Sequence, residues 1–265
     1  MNNAKLKRTL FLALKKAGKL VRKSITRRKV ISKKGEIDLV TEVDCAAERL
    51  IIRTIHRAFP DHSFLAEESG ASLKSGQGAN SPCRWIIDPI DGTTNFAHSL
   101  PVCSVSIAYE EKGVVKLGGV YDPTRDELFF AEKGRGAFLN GTKIKVSKTK
   151  DLSEALLATG FPYDRRKDPD QYLRPFREFL MKAREIRRLG SAAIDLCYVA
   201  CGRFDGYWEA KLSPWDKAAG MLILSEAGGK LSDYSGAPLT LPEPSMVASN
   251  GRIHKAILAL LRQKV

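Results

Sequence analysis

The chain reads as an α+β protein. Three observations support this: two amphipathic helical patterns in the first 60 residues, four strand-like segments between 84 and 132, and an alternation of strand and helix afterwards. The first helix is expected over about 4–25, where Leu6, Leu10, Leu14, Ala17 and Val21 recur at helical spacing. A second, over about 42–58, carries Val43, Ala47, Leu50, Ile51 and Ile55 in the same way. Apolar runs predict strands around 84–88, 103–109, 114–121 and 127–132, and Asn140-Gly141 marks a hairpin turn. The second half predicts a strand near 155–159, a helix near 170–183, a strand near 186–189, a helix near 191–201 and a strand near 205–209. A helix over 215–227 opens after Ser213-Pro214 and stops at Gly228-Gly229; short strands and a last helix at 252–263 complete the order. There is no internal repeat and no low-complexity linker.

At 265 residues and 43% hydrophobic content the chain can build a large core, as one extended or two tightly joined domains. No apolar stretch approaches the roughly 20 residues of a membrane span, so no membrane role is expected. The basic N-terminus lacks the continuous apolar segment and cleavage site of a secretory signal. The five cysteines, at 45, 83, 103, 197 and 201, are odd in number and show no framework spacing, which points to reduced, buried thiols in a cytoplasm. The four histidines share no ligand spacing with them, which argues against zinc; His98 reads as structural.

The chemistry concentrates in Trp85-Ile86-Ile87-Asp88-Pro89-Ile90-Asp91-Gly92-Thr93-Thr94-Asn95-Phe96. Apolar β-formers run into Asp88-Pro89, as in a strand leaving a sheet, because proline cannot continue the ladder. Two acids three residues apart at a buried strand end repel each other unless something positive lies between them. A hard divalent cation such as Mg²⁺ suits that donor set. A turn with Asx-type hydrogen bonds and solvated acids accounts for the same residues equally well. A second apolar stretch, Ser63-Phe64-Leu65-Ala66, also ends in acids, Glu67-Glu68. Asp216 falls in the first turn of the 215–227 helix, where the dipole favours an anion, so a simple capping role explains it too.

Taken in order, Glu67-Glu68-Ser69, the Asp88–Phe96 run, Leu189-Gly190-Ser191-Ala192-Ala193 and Trp215–Gly229 resemble the inositol monophosphatase family of metal-dependent, lithium-sensitive phosphatases. The resemblance runs from about Lys33 to the last helix. It implies a layered α-β-α-β-α sandwich of the inositol monophosphatase and fructose-1,6-bisphosphatase type, and a homodimer. The N-terminal half, 1–150, would hold most metal ligands, and the C-terminal half, 151–265, would hold Asp216 and the substrate-binding residues. It also implies two to three Mg²⁺ ions: one on Glu67, Asp88 and the Ile90 carbonyl, one on Asp88, Asp91 and Asp216, and a weaker, water-rich one contacting Glu67. Glu67 and Thr93 would orient a metal-activated water, with Asp44 polarising the Thr93 hydroxyl. Asp44 equally fits an acid opening the helix that follows it. The amides of Gly92, Thr93 and Thr94 would meet phosphate oxygens if they open a helix. Alcohol contacts would fall to Asp91, Gly190, Ser191, Ala192, Glu209 and Asp216. The activity implied is hydrolysis of a phosphate monoester, with myo-inositol 1-phosphate the first candidate because Glu209 and Leu189–Ala193 are both in place. Fructose 1,6-bisphosphate and other sugar or nucleotide phosphates are the alternatives.

Charge adds an element that the resemblance does not cover. Residues 1–34 hold thirteen Lys or Arg and no acid, whereas the remainder has 31 basic and 30 acidic residues. Such a block suits an RNA or protein partner, or simply a solvated helix face that steers anionic substrates. Arg187 and Arg188 read as a solvated pair at a strand end ahead of contacts to a second phosphate or a partner subunit, and the resemblance places a family lysine close to the metals in the region of Lys33 and Lys34.

Overall fold

A computed structural model describes residues 3–27, 31–33, 39–71 and 81–262. Arg28, Lys29, Lys34 and the side chain of Lys33 lie outside the described residues. In chain order the elements are α1 (Asn3–Ser24), β1 (Ile31–Lys33), β2 (Leu39–Thr41), α2 (Glu42–Ala58), β3 (Ser63–Ala66), β4 (Gly70–Ala71), β5 (Cys83–Asp91), α3 (Thr93–Ala97), β6 (Ser104–Glu111), β7 (Val114–Asp122), β8 (Glu127–Glu132), β9 (Gly136–Leu139) and β10 (Thr142–Lys143). There follow β11 (Leu156–Thr159), α4 (Asp170–Lys182), β12 (Glu185–Arg187), α5 (Ala192–Ala200), β13 (Gly206–Glu209), α6 (Pro214–Glu226), β14 (Lys230–Ser232), β15 (Met246–Ser249) and α7 (His254–Leu261).

These elements stack as the expected five layers. Helices α1 and α2 cover one face of an eight-stranded sheet ordered β10-β9-β8-β7-β6-β5-β3-β4. On its other face lie α5 and α6, which also back a five-stranded sheet ordered β12-β11-β13-β15-β14; α4 and α7 close the far side. The alternation along β5 shows why its residues are apolar on both faces. Trp85 and Ile87 enter the core under α1 and α2, while Ile86 enters the one under α5 and α6. At Asn140-Gly141 both residues take positive φ, 47° and 81°, and Leu139 pairs with Thr142, the mirror-image turn that matches strand twist.

One expectation is corrected. The strand does not leave the sheet at Pro89 but runs on to Asp91, because a shift in register absorbs the proline: Asp88 faces Ser106 and Asp91 faces Ser104. Three steps on β5 against two on β6 make a bulge, one of the few places where a missing N–H costs the ladder nothing. The bulge sets both acids at one sheet end. The hairpin of β1 and β2 is an element that the sequence pattern did not signal.

Candidate active site

A cleft of about 1050 Å³ opens where the end of β5, α3, the turn before α5, the end of β13 and the start of α6 converge. Of the residues singled out from sequence, Glu67, Asp88, Ile90, Asp91, Gly92, Thr93, Thr94, Gly190, Ser191, Ala192, Glu209 and Asp216 all line it. Asp44 stands just behind, within hydrogen-bond reach of the Thr93 hydroxyl at 3.1 Å; that hydroxyl also lies 2.9 Å from the Ile90 carbonyl. The segment 161–165 forms part of the wall, and His98, expected to be structural, is exposed at the rim.

Asp88 is 1% exposed and its Oδ1 has no hydrogen-bond partner. Burial first, then the charges of Glu67, Asp91 and Asp216, hold its carboxyl well above the usual range, and it shares a hydrogen bond with Glu67. Carboxylates this close repel one another as anions, and a cation between them would relieve that repulsion. Asp216 is raised well above the usual range for the same reasons, burial leading and Asp91 and Glu67 following. Among the described residues no three His, Cys, Asp or Glu side chains converge as a ready metal cage. The donor set nevertheless fits a hard cation: clustered carboxylate oxygens, one of them buried and partnerless, with the Ile90 carbonyl in the same wall.

Asp91 spans the two halves of the sandwich. Its carboxylate accepts from the Ser191 hydroxyl at 2.5 Å and from the amides of Ala192 at 3.2 Å and Ala193 at 2.7 Å, the first turn of α5. Burial pushes its carboxyl up to about 6, although these donors pull it down. The Ser191 hydroxyl is therefore engaged by Asp91, while its amide neighbours define the turn. Asp44 and Asp216 each open a helix as capping acids and also stand at the cleft or directly behind it. Asp44 accepts from the Thr41 amide at 2.9 Å while facing Thr93, and Asp216 accepts from the Ser213 amide at 2.6 Å while lining the cleft. Capping fixes each carboxylate where the site meets it.

On the opposite wall Glu209 accepts from the Tyr207 hydroxyl at 2.5 Å, and burial raises its carboxyl to about 7 despite that bond and the nearby Arg188. A Cβ on Gly160 would fall 1.9 Å from Glu209 Oε2, so only glycine leaves room for this carboxylate. Gly92 takes φ 96°, and a Cβ there would meet the Val102 and Gly190 carbonyls at 3.0 and 3.1 Å. Asn95 locks the same junction, its amide donating to Val102 O at 2.9 Å and Leu189 O at 2.7 Å.

Sequence reasoning passed over Asn95, Gly160 and Tyr207. A glycine directly after a strand was the available signal for Gly160, since it often marks a close approach. The arginine pair divides: Arg187 pairs with Glu185 at 3.5 Å, and Arg188, taken for a solvated residue, lines the cleft over Gly190.

The model of the inositol monophosphatase family matches residues 2–265. A Pseudomonas aeruginosa protein named Nus factor SuhB is 46% identical over 254 residues, covering 94% of this chain and 93% of its own. An inositol-1-monophosphatase of Synechocystis is 50% identical over 228 residues, 86% of this chain and 78% of its own. The crystal structure of extragenic suppressor protein suhB from Bartonella henselae superposes with a TM-score of 0.92 at 38% identity, covering 98% of this chain and 99% of that one.

Proposed function

The chain belongs to the inositol monophosphatase family, and from that premise we propose that it hydrolyses a phosphate monoester, myo-inositol 1-phosphate before its competitors, with Mg²⁺ as cofactor and Li⁺ as inhibitor. The observation that carries this reading is the buried Asp88 carboxyl, its Oδ1 without a hydrogen-bond partner, clustered with Glu67, Asp91 and Asp216 in a cleft whose far wall offers Glu209. Glu67, Asp88, Asp91, Asp216 and the Ile90 carbonyl would hold the ions. Bound Mg²⁺ supplies Lewis acidity toward the phosphoryl oxygens, the attacking water and the leaving alkoxide. Thr93, whose hydroxyl donates toward Asp44 or the Ile90 carbonyl, would leave its oxygen free to accept from and orient the water. Glu209 accepts hydrogen bonds from polyol hydroxyls; the Gly190–Ala192 turn bounds the ring. No thiol lines the cleft among the described residues and the Ser191 hydroxyl is engaged by Asp91, which fits direct hydrolysis without a phospho-enzyme. The same reading makes the protein a cytoplasmic homodimer, and the five unpaired thiols accord with a reducing compartment.

Phosphate release from inositol 1-phosphate, beside fructose 1,6-bisphosphate, during a Mg²⁺ titration tests it. Metal-dependent release favouring the inositol ester supports the reading; preference for the bisphosphate changes the substrate and keeps the site. Metal-independent release, or none from any phosphate monoester, overturns it.

A second reading has its own observation. Relatives at 43–46% identity carry the name Nus factor SuhB, and α1 presents an exposed surface rich in Lys and Arg with no acid of its own. An RNA or protein partner held there would act beside catalysis. Asp91→Asn should then spare partner binding while abolishing phosphate release.

A further inference from the structure

Elsewhere on this molecule basic and acidic residues are interspersed in near-equal number, and some of them pair: Arg84 with Glu110, Arg125 with Asp122, Arg203 with Glu127, Lys211 with Asp164. The outer layer differs. Helices α1 and α2 pack side by side, and Lys5 near the start of α1 donates to the Ala58 carbonyl at the end of α2, so they run antiparallel. Each buries its apolar stripe against the sheet and turns a basic stripe to solvent. On α1 the exposed stripe includes Arg8, Lys16, Lys19 and Lys23; on α2 it includes Arg49, Arg53 and Arg57, with His56 among them.

None of these Lys or Arg side chains forms an ion pair among the described residues. Lys7 and Lys15 are the exceptions on α1, tied to Glu132 and Asp126. The exposed acid of the two helices is Glu42, at the very start of α2. The sequence pointed to residues 1–34 alone; the fold adds three arginines from α2 to the same face.

We infer that this two-helix face binds the phosphate backbone of an RNA duplex. The inference deepens the second reading above and rests on it for the part played by α1. From Arg8 to Lys23 the cationic row runs about 22 Å at 1.5 Å per residue, a span facing roughly a dozen phosphates of a duplex. Neighbouring packed helices lie about 8–10 Å apart, so the face offers two parallel rows of cations at close spacing. The deep, narrow major groove of A-form RNA brings two phosphate rows together, whereas the B-DNA major groove is about 12 Å wide. No exposed Phe, Tyr or Trp lies on either helix, and His56 is the one exposed ring there, which is no platform for a run of stacked bases. The recognition is therefore of shape and charge, without base readout.

The test measures binding of a random-sequence RNA duplex of about 20 base pairs to the intact protein by fluorescence anisotropy, between about 50 and 200 mM salt. Two variants are compared with the parent: an α1 set (R8Q, K16Q, K19Q) and an α2 set (R49Q, R53Q, R57Q). We expect each set to lower the slope of log K against log salt by about 2 to 3, the counterions three contacts release, with melting temperature and phosphate release unchanged. Loss with the α1 set but none with the α2 set sinks the two-helix surface and leaves the second reading standing. No duplex binding, or binding that neither set weakens, sinks the inference and leaves the second reading to a protein partner alone. A B-form DNA duplex bound as tightly as RNA, or equal displacement by polyglutamate, overturns the assignment to RNA.

Discussion

The cleft and the outer face of α1 and α2 are opposite cases of unbalanced charge. In the cleft Glu67, Asp88, Asp91 and Asp216 crowd together, and burial makes that costly: Asp88 and Asp216 are pushed well above the usual carboxylate range. On the outer face cations gather without acids, but they are exposed, and water screens them at little cost. The difference teaches which imbalance the fold must resolve. The cleft requires a counter-charge for its acids to ionise together, whereas the outer face tolerates its excess indefinitely and can only gain from a partner.

The sharpest way to break this comparison is Asp91→Asn. Loss of a ligand worth several kcal/mol should cut phosphate release by about a thousandfold or more. The metal-free melting temperature should fall modestly, since an amide cannot accept from the donors that meet both Asp91 oxygens. A variant that turns over normally would remove the cleft from the comparison.

Next in size is Gly160→Ala, whose methyl group displaces the Glu209 carboxylate. We expect KM for inositol 1-phosphate to rise roughly tenfold, the worth of a hydrogen bond or two to a charged group, with kcat nearly kept. Steady-state kinetics on this variant and on Glu209→Gln should agree if the carboxylate meets the polyol. Gly92→Ala forces a side chain into φ 96° against two carbonyls and should cost about 1–3 kcal/mol, read as a lower melting temperature.

The pH dependence sharpens the same contrast. Asp91 is raised to about 6 and Glu209 to about 7, so between pH 4 and 7 the folded protein binds more protons than the unfolded chain. Stability without metal is fully present below the unfolded values and falls as pH rises through the folded ones. Calorimetry should therefore find that Mg²⁺ raises the melting temperature more at pH 8 than at pH 5. An equal rise at both would mean that the ion does not relieve these acids. The smallest effect belongs to the outer face: neutralising Lys16, Lys19 and Arg49 should shift stability by no more than about 0.5 kcal/mol.

Much of the cleft was legible because its residues arrive in short runs. Asp88 to Thr94 is one strand end and turn, and Gly190 to Ala192 is one helix start, so neighbours in sequence remain neighbours in space. What was illegible depended on contacts between distant segments. Gly160 is required by Glu209, 49 positions later, and Asn95 finds Leu189 across 94. Lys15 and Lys16 are neighbours in one basic run, yet Lys15 faces Asp126 and the ring of Tyr121, while Lys16 points to solvent. Pro89 was misjudged for a related reason, because a bulge exists only once β6 lies alongside.

The sequence by itself determined the helix and strand order, the family, and which acids, glycines and polar side chains form the cleft. Local periodicity and runs of neighbouring residues carry that information directly. Only the tertiary structure decided that Asp91 would staple β5 to α5, that capping acids would also face the cleft, and that the arginines of α2 would extend the basic row of α1. Each of these depends on how two separate segments are packed, and packing is set by burial of apolar faces, which polar residues at the same positions do not announce.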